Sequence, residues 1–168
     1  MQLPQEEFNP YYLPYINSAT SSDLVGGLKQ NLKSVVAFYD SIPEEKLEYA
    51  YAEGKWTVKD ILLHIIDTER IFAYRAMRVA RQDKTALAGF EQDDYVNAAN
   101  ASNRTIESLL EEYKVVRNAT ISLFESFTDE SLKAIGTASG SPISTRAIGY
   151  IITGHENHHN TVIRERYL

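Results

Sequence analysis

The chain contains no cysteine. This absence excludes disulfides, thiolate metal ligands and a cysteine nucleophile, so any thiol chemistry would need a thiol from outside the protein. An excess of basic residues is also missing, because 17 Lys and Arg stand against 23 Asp and Glu and give a net charge of −6. Nucleic acids and anionic membrane surfaces select for a broad positive surface. We therefore expect neither among the partners.

Long apolar runs are absent as well, and no stretch approaches the ~18 uninterrupted apolar residues of a spanning helix. The opening segment, MQLPQEEFNPYYLPYINS, is acidic and contains prolines, unlike a secretory signal or a membrane anchor. We expect a cytoplasmic protein. A hydrophobic share of 43% and a length of 168 residues are ordinary for a folded domain. We predict a single domain over residues 1–168.

Apolar residues at helical spacing predict four long helices, at about 22–41, 57–81, 102–127 and 144–168. The second opens with TVKD, which resembles a capping box between Thr57 and Asp60. Period-2 alternation is missing, so no strand is predicted. The segment KTALAGFEQDDYVNAANAS forms a long connection between the second and third helices. These features predict an all-α four-helix bundle with a long crossover.

The last predicted helix contains H-E-x-x-H, from His155 through Glu156 to His159. In zinc proteases this motif holds one metal with two imidazoles and provides a Glu as general base. Such proteases take their third ligand from further along the chain, but only NTVIRERYL follows here, and no strand is predicted to align a peptide. The protease interpretation therefore fails, although Glu156 could still act as a base near a bound water.

A helical wheel places His155 and His159 within roughly 20° of the centre of the apolar stripe and His158 roughly 80° away. Inward-facing imidazoles are costly unless their nitrogens are bonded. A metal ion would satisfy the pair. The alternatives are core histidines bonded to carboxylates or water, or a pH-sensitive core cluster.

His64 lies in DILLHIIDTER, within an apolar part of the second helix, and shares a helical sector with Arg75. It can supply a third ligand, which would leave an open position for water or substrate, as in catalytic zinc sites. Asp60, Asp67 and Glu156 are candidates to orient the imidazoles.

Two segments with inward-facing histidines, GKWTVKDILLHIIDTER and TGHENHHNTVIRERYL, together resemble the DinB-like superfamily. That superfamily includes YfiT-like metal hydrolases and thiol-dependent S-transferases and isomerases. The resemblance extends over almost the whole chain. It implies an up-down-down-up bundle, frequently a homodimer, with zinc or nickel held by histidines at positions 64, 155 and 159.

The favoured hypothesis is thus a metal-dependent enzyme for a small molecule, either an S-transferase using an external low-molecular-weight thiol or a related hydrolase. Arg75 is a candidate for binding an anionic group, Glu156 a candidate base, and Glu91 and Tyr95 candidate lid residues. The alternative is a non-catalytic metal-binding or stress-related structural bundle. That alternative predicts a closed metal site with no cavity beside it.

Overall fold

The computed structural model describes residues 3–168. Its helices, in chain order, are α1 (Leu13–Ser18), α2 (Leu24–Asp40), α3 (Glu44–Leu47), α4 (Val58–Ala80), α5 (Gln92–Ala99), α6 (Ile106–Glu125), α7 (Asp129–Lys133) and α8 (Thr145–Arg166). The strands are β1 (Ile135–Ala138) and β2 (Ser141–Ser144). The predicted all-α four-helix bundle is confirmed, and its long helices are α2, α4, α6 and α8.

Side-chain caps fix where the long helices begin. Thr57 and Asp60 form the predicted capping box before α4, with the Asp60 backbone N–H donating to Thr57 Oγ1 at 3.1 Å. Ser144 caps α8 in the same way, as its predicted start requires. The third helix begins four residues later than predicted, because Thr105 is its cap and the segment Ala101–Asn103 forms a separate 3-10 turn.

Two apolar clusters divide the core and reveal the helix directions. One joins the later half of α2 and the end of α8 to the early halves of α4 and α6. The other joins the start of α2 and the early half of α8 to the later halves of α4 and α6. Hence α2 and α8 run in one direction while α4 and α6 run in the other, which is the up-down-down-up order. Because α4 and α6 are parallel, the chain between them must return along the length of the bundle.

The expectation that the chain has no strand is wrong. β1 and β2 form an antiparallel hairpin in which Ile135 pairs with Ser144 and Ala138 with Ser141. Its turn residues, Ser139 and Gly140, have φ values of +50° and +75°. The strands are four residues long, and IGTA and SPIS do not alternate between apolar and polar residues, so the period-2 pattern that predicts a strand is missing.

A second unpredicted element, α1, packs along α8. At Gly154 the two backbones meet so closely that an added Cβ would lie 1.7 Å from the carbonyl oxygen of Tyr15. Glycine is therefore required at this crossing. The contact brings the Tyr15 ring against His155, with 5.4 Å between ring centroids.

None of the helices in the described part of the chain combines the length and apolar character needed to cross a membrane.

Candidate metal centre

Three histidines from two antiparallel helices converge between α4 and α8. The Nε2 atom of His155 lies 3.1 Å from His64 Nε2 and 3.0 Å from His159 Nε2. One ligand atom from each ring falls within 4.8 Å of the other two. His155 and His159 are one helical turn apart on α8, while His64 faces them from α4. These are the three residues that the sequence analysis predicts as candidate metal ligands.

Burial keeps the three imidazoles neutral. It lowers the pKa of His64 from 6.5 to about 4, against an opposing effect of the Asp93 charge. It also lowers the pKa of His159 to about 3 and that of His155 well below its usual range, and the neighbouring imidazoles add to both shifts. At neutral pH each ring therefore offers a lone pair instead of a positive charge.

The donor set fits a divalent metal ion. A neutral imidazole carries one N–H and one lone pair, and the central Nε2 of His155 cannot satisfy both neighbouring nitrogens with a single proton. Three lone pairs directed at one point are the ligand set of a three-histidine site. His64 Nδ1 lies 3.4 Å from Thr68 Oγ1, which can accept a hydrogen bond from Nδ1–H when Nε2 binds a metal ion.

Aromatic rings hold the histidines in place. Trp56 lies over two of them, with its ring centroid 4.7 Å from His64 and 6.3 Å from His159. Tyr15 contacts His155 from the other side and also touches the exposed His158. These contacts restrict ring rotation, which keeps the three nitrogens directed at one point.

The carboxylates expected to orient the imidazoles are engaged elsewhere. Asp60 accepts hydrogen bonds from Thr57, and Asp67 pairs with Arg70. Glu156 is fully buried, and its carboxylate accepts hydrogen bonds from Asn31 and Arg117. This placement does not support the base role expected for Glu156, because its lone pairs are already committed to the core.

Glu156 instead belongs to an ion network to which every long helix contributes, and Tyr113 of α6 also donates to its carboxylate at 2.9 Å. Arg117 of α6 donates to Glu156 of α8 at 2.7 and 3.0 Å and to Glu69 of α4 at 2.8 Å through both Nε and Nη2. Asn31 of α2 donates to Glu156 at 2.6 Å. Although burial opposes it, the two carboxylates raise the pKa of Arg117. The network joins α4 and α8, the helices that hold the histidines, and thereby fixes their relative position.

A cavity of about 280 Å³ opens beside the histidines. His64 and His155 line one part of its wall, and Arg75 lines another. We name it the Arg75 cavity. The structure thus brings the candidate substrate-binding arginine and two of the candidate ligands to one space. Glu91, a predicted lid residue, lines the same cavity, whereas Tyr95 lines a smaller one next to His64.

The other side of the centre borders a second cavity, of about 310 Å³, which we name the Trp56 cavity. His159, His158 and Trp56 contribute to its lining. Asp93 at the start of α5 lines both cavities. Sequence reasoning missed Asp93, because nothing in its exposed, polar segment indicated that α5 returns to the histidines.

Comparison with known proteins identifies the family of the chain. The sequence profile described as the DinB superfamily matches residues 28–163. The chain belongs to the DinB superfamily. The predicted resemblance is therefore confirmed, and the matched region contains all three histidines.

Two relatives connect the DinB superfamily fold to metals. A protein of Geobacillus thermodenitrificans named "Putative metal-dependent hydrolase" is 29% identical over 142 residues, covering 81% of this chain and 76% of the relative. A solved structure is described as "YfiT from Bacillus subtilis is a probable metal-dependent hydrolase with an unusual four-helix bundle topology". It matches with a TM-score of 0.73 and 16% identity, and the match covers 98% of this chain and 90% of that one. At that identity, the likeness shows the fold alone.

Proposed function

We propose that the chain is a metal-dependent enzyme for a small molecule, with zinc or nickel held by His64, His155 and His159. The reaction is the hydrolysis of its substrate or the transfer of an external low-molecular-weight thiol to an electrophile. The observation that carries this proposal is that the Arg75 cavity opens directly onto two of the three histidines. A purely structural site would instead be enclosed.

His64, His155 and His159 are held together by packing, and two of them, His64 and His155, face the Arg75 cavity. His64, His155 and His159 would hold the ion, which would supply Lewis acidity to lower the pKa of water or of a thiol in the cavity. The imidazoles contribute no positive charge of their own, because burial keeps them neutral. The rings of Trp56 and Tyr15 pack against the histidines and help to exclude bulk water.

Asp93 is the proton acceptor in this proposal. It lines the same cavity as His64 and His155, whereas Glu156 is bonded to Arg117 in the core. A base must come within hydrogen-bond reach of the proton that it removes. Asp93 lies on the short helix α5 at the cavity wall, where an incoming substrate would meet it.

The alternative, a non-catalytic metal-binding or stress-related bundle, requires a site without an adjacent cavity. The two cavities beside the histidines favour the enzyme. We also propose a cytoplasmic homodimer, on the basis of the family resemblance. Analytical ultracentrifugation of the purified protein tests the dimer.

The experiment that tests the proposed function compares two reactions of the zinc- and nickel-loaded protein. One is hydrolysis of p-nitrophenyl esters, and the other is substitution by cysteine or glutathione at 1-chloro-2,4-dinitrobenzene, which forms a thioether and releases chloride and a proton. We expect at least one rate to exceed that of the metal-free protein and to fall about 10²–10⁴-fold in Asp93→Asn, the usual contribution of a general base. Glu91→Gln is the matched control at the same cavity wall. Equal rates with and without metal would contradict the proposal.

A further inference from the structure

Arg75 is a buried charge without an anionic partner in the protein. It is 2% exposed. Its Nη2 donates to the carbonyl oxygen of Ala88 at 2.7 Å and to Ser139 Oγ at 3.3 Å, both neutral acceptors. No carboxylate among residues 3–168 lies within ion-pair distance of it. Buried charges are ordinarily paired, because an unpaired one loses its hydration without compensation.

Aromatic residues surround the guanidinium and leave one direction open. The rings of Phe72 and Phe90 lie 5.3 and 5.9 Å from its central carbon. The Nε and Nη1 groups make no hydrogen bond to a residue in the described chain and are not sealed from solvent. Since Arg75 lines the Arg75 cavity, these donors are available to a molecule inside it.

A second donor lies beside the first. Tyr12 lines the same cavity, and it lies close enough to Arg75 to affect the pKa of the guanidinium. Burial raises the pKa of Tyr12, so the phenol keeps its proton at neutral pH. Ser139, which holds Arg75 from the hairpin turn, has a φ of +50°, a conformation that non-glycine residues seldom adopt. The hairpin thus places a strained serine where it fixes the guanidinium.

We propose that Arg75 and Tyr12 form a carboxylate-binding subsite, which holds the anionic end of a small organic acid while its reacting end lies at the histidines. This inference rests on the proposed function and identifies its substrate class. Residues 64 and 75 are separated by eleven positions on α4, about 16 Å along the helix, and project from nearly the same side. A ligand anchored at Arg75 therefore extends along the cavity towards the centre.

The lining of the cavity selects a singly charged group over a phosphate. Arg75 is the one Lys or Arg in the wall, and Glu91 and Asp93 also belong to it. Apart from the proposed metal ion, Arg75 is the cation that offsets Glu91 and Asp93, so a singly charged carboxylate meets less repulsion from these two side chains than a dianionic phosphate does. The volume of about 280 Å³ is near the lower limit of ligand pockets, which fits a small acid.

The test uses NMR of the purified protein during titration with butanoate, neutral butanamide and inorganic phosphate. It follows the side-chain Nε–H signal of Arg75 and, in every variant including Arg75→Met, the backbone amide signals of residues that line the Arg75 cavity. The Nε–H signal is assigned by its loss in Arg75→Met. We expect saturable binding of butanoate, at least about tenfold tighter than butanamide, because hydrogen bonds to charged groups are the stronger class. Arg75→Met should abolish this preference, Tyr12→Phe should weaken it, and the exposed Arg81→Met should leave it unchanged.

A His155→Ala variant separates this inference from the metal proposal. It removes a metal ligand but leaves Arg75 and Tyr12 in place, so butanoate should still shift the Arg75 signal. Butanoate binding that persists in Arg75→Met would place the anion at the metal and overturn the subsite. Equal affinity for butanoate and butanamide, or tighter binding of phosphate, would also overturn it. Absence of metal in the wild type would contradict the proposed function while leaving the anion titration interpretable.

Discussion

Replacement of Arg117 by methionine would remove the only guanidinium from the four-helix ion network. Arg117 and Glu156 are fully buried and Glu69 is 2% exposed, so the variant leaves two carboxylates in the core without their cation. Loss of one partner from a buried ion pair costs about 3–5 kcal/mol. For a chain of this length we therefore expect the melting temperature to fall by roughly 6–20 °C, at about 2–4 °C per kcal/mol.

Arg70→Met is the matched control, because Arg70 also joins α4 to α6 through an ion pair, with Glu112. The Arg70 side chain is 47% exposed, and surface pairs contribute only about 0–1 kcal/mol. Urea and thermal unfolding followed by circular dichroism would compare the two variants. If Arg117→Met and Arg70→Met cost the same, the account of the network is refuted.

The physical cause can be separated from simple loss of packing. Adding Glu69→Gln and Glu156→Gln to Arg117→Met removes the uncompensated charge while keeping similar side-chain volumes. We expect this triple variant to recover part of the lost stability, since the penalty comes from isolated buried charge. A triple variant less stable than Arg117→Met would show that the carboxylates are not the source of the cost.

Two further predictions concern the close contact at Gly154 and the burial of His64. Gly154→Ala should destabilise the protein by about 1–3 kcal/mol, the usual cost of overpacking, because its Cβ would meet the Tyr15 carbonyl oxygen. Gly149→Ala should cost less, because the atoms nearest to its Cβ are Leu24 methyl groups, which can move. Unfolding of Gly154→Ala and Gly149→Ala compares the two, and equal effects would contradict the close backbone contact. In the metal-free protein, the buried neutral His64 should contribute fully to the free energy of unfolding above pH 6.5. As the pH falls towards about 4, the free energy of unfolding should decrease by up to about 3 kcal/mol, because the unfolded chain binds a proton that the buried imidazole does not. Urea unfolding across this pH range checks it, with the exposed His158→Ala as control, and a pH-independent stability would contradict the burial of neutral histidines.

The long helices and the histidines were predictable because both depend on local periodicity. The apolar stripe of α8 and the capping box before α4 are properties of neighbouring residues, so they determine which faces turn inward. The spacing of His155 and His159 on that stripe then predicts their convergence. The third histidine of the cluster, His64, was predicted from its apolar surroundings.

The cavity walls could not be predicted in the same way, because they depend on long-range packing. Tyr12, Tyr15 and Ser139 belong to a short turn, a six-residue helix and a hairpin of two four-residue strands, none of which has a distinctive sequence period. Arg75 was placed correctly in the sector of His64. That Arg75 has neutral acceptors and no carboxylate partner among residues 3–168 depends on the position of the hairpin, which the sequence does not predict.

Glu156 shows the limit of motif reasoning. Its place in H-E-x-x-H indicates a base, yet the identity of its neighbours on α2 and α6 determines its environment. Arg117 and Asn31 are distant in sequence, and their polar side chains lie inside the bundle, where sequence patterns predict apolar residues. Only the assembled helices reveal that Glu156 has a structural partner.

The central claim is that His64, His155 and His159 hold one divalent metal ion. The most direct test is elemental analysis of protein purified without a histidine tag, comparing the wild type with His155→Ala and His158→Ala, each checked by circular dichroism for folding. The account predicts about one equivalent of zinc, nickel or a similar ion in the wild type and His158→Ala, and none in His155→Ala. A folded wild type that takes up no metal after dialysis against zinc and nickel, or a His155→Ala that retains it, would contradict the account.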